Sequence, residues 1–325
     1  MKERILKCLR ETEGYVSGQQ LCQELNVSRT AVWKAMNQLK EDGYAIEAVK
    51  NRGYRLMHTP DLVTADEVSS ILQTSWAGHS VIYKEELLST NQTAKMAAEE
   101  GAAHGTLVLA ERQISGKGRR GRVWHSPKGS GIWMSLVLRP DIRPDKASML
   151  TIVMAMAVYD AISRRVEGCS IKWPNDIVAD GRKVCGILTE MSTELDHIHY
   201  VVGGIGINVN TEDFPEDIGM VAASMHTVSG QYFKRSEIIA DVCSAFERYY
   251  ECFIKTSDLS ELKEAYNKRL INCGRRVSIE ERGRRFEGIA EGIDGEGCLL
   301  VCKDDGTRVS VISGEVSVRG VLGYV

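Results

Sequence analysis

The period of the hydrophobic pattern changes twice along this chain, so it cannot fold as one repeating architecture. Over residues 1 to 58, apolar side chains recur at helical spacing: Ile5, Leu6 and Leu9, then Leu21 and Leu25, then Val32, Ala35, Met36 and Leu39. Ser17-Gly18 and "NVS" break the pattern. Ser28 stands where it can cap a third helix, and Gly43 where it can end it. Two short helices joined by a tight turn are the helix-turn-helix signature, and the alternating "YAIEAVKNRGYRL" that follows predicts a hairpin wing turning near Asn51-Arg52-Gly53. "HTPDLVTADEV" then reads as a linker in which Pro60 ends the hairpin and Thr64 caps a new helix. Up to about residue 270, strands such as "GTLVLAERQ", "IWMSLVLRP" and "YVVGGIGINVN" alternate with helices, which predicts an α/β unit. Residues 149–162 are apolar all round, as in a buried helix, and 236–254 carries an amphipathic stripe. From about residue 271, short strands separated by glycine-rich turns predict a small β-barrel. The expected units are residues 1–63, 64–270 and 271–325.

A formal charge of −3 over 325 residues argues against a chain-wide polyanion binder, so any nucleic-acid contact must be local. Residues 1–58 are mildly basic, with ten Lys and Arg against seven Asp and Glu. Ser28, Arg29, Thr30, Lys34, Asn37 and Gln38 on the third helix are suited to a DNA groove, and Lys50 and Arg52 on the wing to phosphates. The alternative for this unit is a protein-docking helical domain. Nine cysteines without a C-x-x-C pair favour free thiols in a reducing compartment. The charged start has no signal-like apolar core, and the longest apolar run carries Asp160, so a cytoplasmic location without membrane contact is expected.

"GKGRRGRVW", Gly116 to Trp124, sets four cations among three glycines. Such a loop suits a polyanion that arrives later and offsets the repulsion, or else it is a solvated surface turn. It is not a Walker loop, because Glu111 stands at the first glycine position and Gly118 follows the lysine. "GGIGINVN" is not a dinucleotide fingerprint, because Val209 replaces the third glycine. "KWPND" places Lys172, Asn175 and Asp176 around a proline turn, and "GRKVCGIL" puts Lys183 on a turn before a buried strand. His197 and His199 bracket a turn, lack a third ligand and read as surface residues.

"STNQ" (residues 89–92), "Q-x-x-GKGRRGRVW" (113–124), "KWPND" (172–176), "GRKVCGILTE" (181–190) and "GIGINVN" (204–210) occur in the order found in biotin–protein ligases. The chain resembles that family over nearly its whole length, and its N-terminal unit resembles the bifunctional form that also represses biotin genes. The resemblance implies an α+β multidomain fold: a winged helix-turn-helix, a class II synthetase-like mixed sheet, and a small SH3-like barrel. It implies that biotin and ATP, with Mg²⁺, form biotinyl-5′-AMP, and that biotin then passes to a lysine of the biotin carboxyl carrier protein. It further implies a homodimer on operator DNA with the adenylate as corepressor. By the same resemblance, Lys183 and Arg119 hold carboxylate and phosphate oxygens, and Asp176 binds Mg²⁺ or orients the incoming amine. Ser89, Thr90, Asn91 and Gln113 would meet the ureido ring, although Ser89 and Thr90 also suit a helix N-cap. Trp124 would stack on adenine and Asn175 and Asn208 would meet ribose or phosphate, with Lys117, Gly118, Arg120, Arg122, Lys172 and Gly186 lining the nucleotide site. Lys117 departs from the family's usual arginine, keeping charge but losing a bidentate fork. The rival readings are a ligand-sensing repressor without chemistry and a lipoate-type ligase.

Overall fold

Two serine caps set the N-terminal unit: Ser17 Oγ accepts from Gln20 N at 3.0 Å, and Ser28 Oγ from Ala31 N at 3.2 Å. They open α2 (Gly18–Leu25) and α3 (Arg29–Glu41), which follow α1 (Lys2–Glu11). Asn26 closes α2 in the left-handed region that asparagine tolerates. The three apolar stripes meet in a separate core around Ile5, Leu21, Met36 and Leu39. β1 (Ala45–Val49) and β2 (Gly53–His58) pair antiparallel as the wing. Gly53 lies at φ +116°, and Val16 O is 2.0 Å from where a Cβ would stand. Only glycine therefore permits the reciprocal Val16–Tyr54 backbone bonds, both 2.8 Å, that tie the wing to the helices. This computed structural model describes residues 1–281, 284–312, 316–320 and 324.

A linker helix, α4 (Ala65–Ser69), leads into the central unit. Its elements are β3 (Val81–Leu87), α5 (Thr90–Glu99), β4 (Leu107–Gln113), β5 (Gly131–Leu138), α6 (Met149–Ser163), β6 (Cys169–Lys172), β7 (Asp176–Ala179), β8 (Arg182–Glu194) and β9 (His197–Asn208). Four helices follow: α7 (Glu216–Gly219), α8 (Met225–Ser229), α9 (Arg235–Thr256) and α10 (Lys263–Asn267). The strands form one mixed sheet, β3-β4-β5-β9-β8-β7-β6, parallel at β3–β4 and antiparallel elsewhere. Strand alternation divides the side chains between two faces. Val108, Val137 and Val202 pack with Ala94 and Ala98 of α5, whereas Leu107, Leu136 and Val201 join the larger core with α6 and α9. The apolar α6 is buried, wedged between the sheet and α9, so its composition is that of a core helix. Helix α5 packs mainly on β4, β5 and β9 and reaches β8 through polar side chains, and the cleft lies on the same side of the sheet, with residues of β7 and β8 in its lining.

The C-terminal unit is a five-stranded antiparallel sheet: β10 (Arg276–Glu281), β11 (Arg284–Ile293), β12 (Leu299–Cys302), β13 (Arg308–Val311) and β14 (Val316–Gly320). Its order is β13-β12-β11-β10-β14, the small antiparallel sheet expected of this unit. Val277, Ala290, Leu299 and Val301 belong to the same core as α6 and α9. One face of this sheet is thereby buried against the central unit.

The junction of the N-terminal and central units is polar and buried. Glu67 of α4 accepts from Arg10 at 2.7 and 2.8 Å, from the Tyr44 hydroxyl at 2.6 Å and from Ser236 Oγ at 3.1 Å. Arg235, only 2% exposed, donates at 2.8 Å to both Asp61 Oδ2 and Glu111 Oε2 and at 3.2 Å to Gly131 O. A buried ion pair stripped of one partner leaves an uncompensated charge. Replacing Arg235 with methionine is therefore expected to lower the unfolding free energy by about 3 kcal/mol, read from urea titration. A variant as stable as the parent would show that the network is neutral.

Candidate functional site

On β8 and β9, residues 186, 188, 190 and 202, 204, 206, 208 share the partly open face, and two of the β9 positions there are glycine. A Cβ on Gly204 would stand 2.0 Å from Asn91 Oδ1, and one on Gly206 2.5 Å from Trp124 Nε1. Gly186 is similarly crowded by the Trp124 ring and the Lys183 amine. The alternation glycine–isoleucine–glycine–isoleucine is thus a floor and a core at once. Ile205 and Ile207 pack inward, while the bare positions let an amide and an indole lie against the sheet.

Over this floor, the residues picked from the central sequence line a single cleft. Ser89 and Thr90 stand at the start of α5, but Ser89 makes no side-chain cap, so the capping alternative does not describe it. Gln113 Oε1 accepts from Thr90 N at 2.8 Å and from its hydroxyl at 3.1 Å, and Gln113 Nε2 donates to Ser126 Oγ at 3.0 Å. Asn91 donates to Leu188 O at 3.2 Å and Glu190 Oε2 at 2.8 Å, and its own oxygen accepts from Ser135 Oγ at 2.7 Å. Ser135, Ser126 and Glu190 were not singled out from sequence: the serines sit in ordinary contexts, and Ser135 lies within a run of buried apolar residues. This end of the cleft is a dense lattice of uncharged donors and acceptors, backed by the Lys95–Glu190 ion pair at 2.7 Å.

The other end is cationic. The arginine-rich loop is a small folded hairpin and not a shapeless strap. Lys117 bridges Val123, Gly118 N donates to Arg122 O at 2.7 Å, and Trp124 N donates to Gly116 O at 2.8 Å. Left-handed Arg120 and Gly121 make its turn. Lys117, Arg120 and Arg122 are exposed on the hairpin and Gly118 is half-buried. Arg119 points inward, donating to Asn175 Oδ1 at 3.1 Å. Burial pushes its guanidinium below the ordinary value against the pull of Asp176, with Arg120 and Arg122 adding repulsion.

Lys183 was expected on a turn but belongs to β8. The turn is Asp180-Gly181, and an irregularity between Ile177 and Val178 shifts the pairing so that Val178 meets Lys183. Its backbone is held by Val221 O and Ala223 N at 2.7 and 2.9 Å, and Asn208 Nδ2 braces the same loop through Ala223 O at 3.0 Å. The Lys183 amine lies 2.6 Å from Asp176 Oδ1 and 5.1 Å from the Trp124 ring centroid. That Asp176 oxygen is buried and, although ion-paired, makes no aligned hydrogen bond among the described residues. Lys172 and Asp176 are register partners across a hairpin whose turn contains a cis Trp173–Pro174 peptide. Tyr324, which sequence gave no reason to choose, reaches the same place. Its hydroxyl donates to Asp176 Oδ2, and the Lys172 amine lies 3.4 Å from its ring centroid.

The second set of chosen residues lies on the N-terminal unit. Arg29, Thr30, Lys34 and Gln38 are exposed on α3, Asn37 is half-buried, and Ser28 serves as the cap. Trp33, 57% exposed, shares this face and was overlooked because a tryptophan in a helix suggests a core. Lys50 and Arg52 are exposed at the wing turn. His197 and His199 do not bracket a turn: both lie on β9, exposed, after a turn at Leu195-Asp196. No cluster of three His, Cys, Asp or Glu side chains suited to a metal occurs among the described residues.

The central residues 84–208 match the model of the biotin/lipoate A/B protein ligase family, residues 2–55 an HTH domain, and residues 273–319 the biotin protein ligase C-terminal domain. The bifunctional ligase/repressor BirA of Bacillus subtilis (strain 168) is 39% identical over 297 residues, covering 90% of this chain and 91% of that one. The biotin--[acetyl-CoA-carboxylase] ligase of Paracoccus denitrificans is 32% identical, covering 68% and 93%. Among solved structures, the biotin protein ligase of Aquifex aeolicus in complex with biotin and ATP is 28% identical. It superposes with a TM-score of 0.65, covering 74% of this chain and 99% of that one.

Glu190 offers a pH test of the neutral end. Burial raises its carboxyl, but hydrogen bonds from Lys95 and Asn91 outweigh that and leave it below the ordinary value. A depressed folded value means stabilisation present above the unfolded value of about 4.3 and lost as pH falls through the folded one. The stability gap between the parent and Glu190→Gln, from denaturant midpoints at successive pH, is expected to hold near neutrality and close below about pH 4. A gap independent of pH would remove this role for the carboxylate.

Proposed function

We propose how one cleft serves two half-reactions, from the premise that the chain belongs to the biotin–protein ligase family in its bifunctional ligase/repressor form. The protein is an ATP-dependent ligase that attaches biotin to a carrier-protein lysine and a DNA-binding repressor. The observation that carries the assignment of roles is the polarity of the cleft: neutral hydrogen-bonding groups at one end, cations around one carboxylate at the other.

The ureido ring of biotin is a neutral polar head, and Thr90, Asn91 and Gln113 offer it donors and acceptors already fixed by Ser126, Ser135 and Glu190. With Ser89 beside them, these groups hold the ring so that its carboxylate points towards Lys183. In the first half-reaction a carboxylate oxygen attacks the α-phosphorus of ATP, a P–O bond forms, and diphosphate leaves with the electrons of the broken P–O bond. Lys183 and Arg119 bring the two anions together and hold the charge that builds on the phosphoryl oxygens. Lys117, Arg120 and Arg122 close from the hairpin and Lys172 from the opposite wall, with Trp124 stacking on adenine and Asn175 and Asn208 meeting ribose or phosphate. Gly186 lets the Trp124 ring and the Lys183 amine approach the sheet closely, and Gly118 lines the nucleotide site from the hairpin. In the second half-reaction the acceptor amine attacks the acyl carbon of biotinyl-5′-AMP and AMP leaves. Asp176 orients that amine and takes its proton.

Magnesium fits the donor set only as an ion carried by ATP phosphates and leaning on Asp176, since one carboxylate with spare acceptor capacity is present and Mg²⁺ keeps most of its water. It would supply charge neutralisation at the departing diphosphate. Use of cellular ATP and a carrier protein supports a cytoplasmic location, and residues 1–63, 64–270 and 271–325 are taken as the working units.

The α3 face reads bases through Arg29, Thr30, Lys34, Asn37 and Gln38, Ser28 fixes the helix start, and Lys50 and Arg52 grip phosphates. Adenylate held under the hairpin favours a homodimer that sets two such helices on operator half-sites.

Two outcomes test this reading. Lys183→Met is expected to slow adenylate formation at least about 100-fold, measured by diphosphate exchange, while biotinamide, which lacks the carboxylate, binds as to the parent. Exchange at full rate would refute the role of the amine. Footprinting on upstream DNA is expected to show protection at lower protein concentration when biotin and ATP are both present. Identical protection without them would break the link between ligation and repression.

A further inference from the structure

The C-terminal sheet grips the "KWPND" turn from behind. Trp173, buried, donates its backbone N to Asn272 Oδ1 and its indole Nε1 to Gly297 O, both at 3.0 Å. Tyr324 meets the same hairpin from the cleft side. Its ring lies under the Lys172 amine and its hydroxyl donates to Asp176 Oδ2, so one side chain touches both register partners of the β6–β7 hairpin. Asp176 is then contacted at both oxygens, by a hydrogen bond at Oδ2 and, at Oδ1, by the ion-paired but unaligned Lys183 amine at 2.6 Å. A carboxylate engaged on one oxygen can rotate about its Cβ–Cγ bond, whereas one engaged on both presents a fixed edge.

We infer that Tyr324 is a positioning residue of the ligase, fixing the Asp176 carboxylate so that its Oδ1 edge faces the reacting groups. The C-terminal unit thereby completes the active site of the central one. The phenol acts through Asp176 and touches no reacting atom. Its hydrogen bond to a charged group is of the stronger kind, so its loss should be visible in rate. The ring serves separately: its contact with Lys172 keeps the hairpin's two ends in register. Tyr324→Phe removes the first function and keeps the second, while Tyr324→Ala removes both. The inference rests on the role given to Asp176 above.

The test uses the full-length protein with biotin, ATP, Mg²⁺ and a carboxyl carrier domain. Adenylate formation and transfer from preformed biotinyl-AMP are each followed in single turnovers. Tyr324→Phe is expected to lower the transfer rate about tenfold, with unchanged KM for biotin and for the carrier and an unchanged melting midpoint. Combined with Asp176→Asn, it should cost nothing beyond Asp176→Asn alone, because a hydroxyl that acts only through the carboxylate has nothing left to position. Tyr324→Ala should be slower than Tyr324→Phe. Full-rate transfer by Tyr324→Phe, an effect confined to KM, or losses that multiply in the double variant would each overturn the inference while leaving the role of Asp176 standing. Asp176→Asn at full rate would instead remove the role on which it rests.

Discussion

Bringing two anions into contact is the constraint around which this molecule is arranged. A carboxylate and a triphosphate repel each other, and their meeting place must hold more positive than negative charge before either arrives. Lys183, Arg119 and Lys172 line the cleft, where the proposed roles have them supply it, and Asp176 is the one carboxylate among the described residues lining the cleft. Taking cations out of water is unfavourable, and burial accordingly holds the Arg119 guanidinium below its ordinary value. The fold meets that cost by seating Lys183 on a strand, Lys172 on a buried hairpin and Arg119 on a short, backbone-paired loop. Rigid supports prevent the charges from relaxing into solvent, and a ligand anion then recovers the energy.

The glycines of β9 show how the neutral end reaches the same rigidity by other means. A strand residue that faces a cleft normally contributes a side chain to it. Here Gly204 and Gly206 contribute none, and the space is taken by Asn91 and Trp124 arriving from elsewhere. The site is therefore built by convergence of α5, the hairpin and two strands onto a bare patch of sheet. An alanine at Gly204 would displace Asn91, and with it the bonds from Ser135 and to Glu190.

The legible part of this design was whatever lies within a few residues of itself. Ser28 as a cap, the α3 stripe, the wing, the apolar α6 and the ordered motifs could be read because caps, periodicity and turn chemistry act locally. The illegible part was assembled across the fold. Tyr324 meets Asp176 over 148 positions, Ser135 hides in an apolar run, and Glu190 matters only because β8 carries it beneath Asn91. Local reading also erred where tertiary pairing intervened. Lys183 entered a strand because of the shifted register opposite β7, His197 was drawn into β9 by pairing with Glu194, and the arginine-rich segment closed its own backbone bonds despite its charge. The C-terminal strands were read correctly, but the core they share with α6 and α9 could not be read from their own sequence.

A repressor must also hold its recognition helix at a definite angle to the unit that senses the ligand, and a pliant linker could not do so. Here the linker is clamped by charges taken out of water: Asp61 and Glu111 on Arg235, and Arg10, Tyr44 and Ser236 on Glu67. Apolar packing of equal size could stabilise such a junction as well, but it would tolerate sliding. Ion pairs and hydrogen bonds with fixed directions do not. The network also reaches both ends of the ligand site. Glu111 lies two residues before Gln113 on β4, and Asn210, just beyond β9, donates to Asp61 Oδ2 at 3.4 Å. Strands β4 and β9 therefore run from the cleft to the clamp that joins it to the DNA-binding unit.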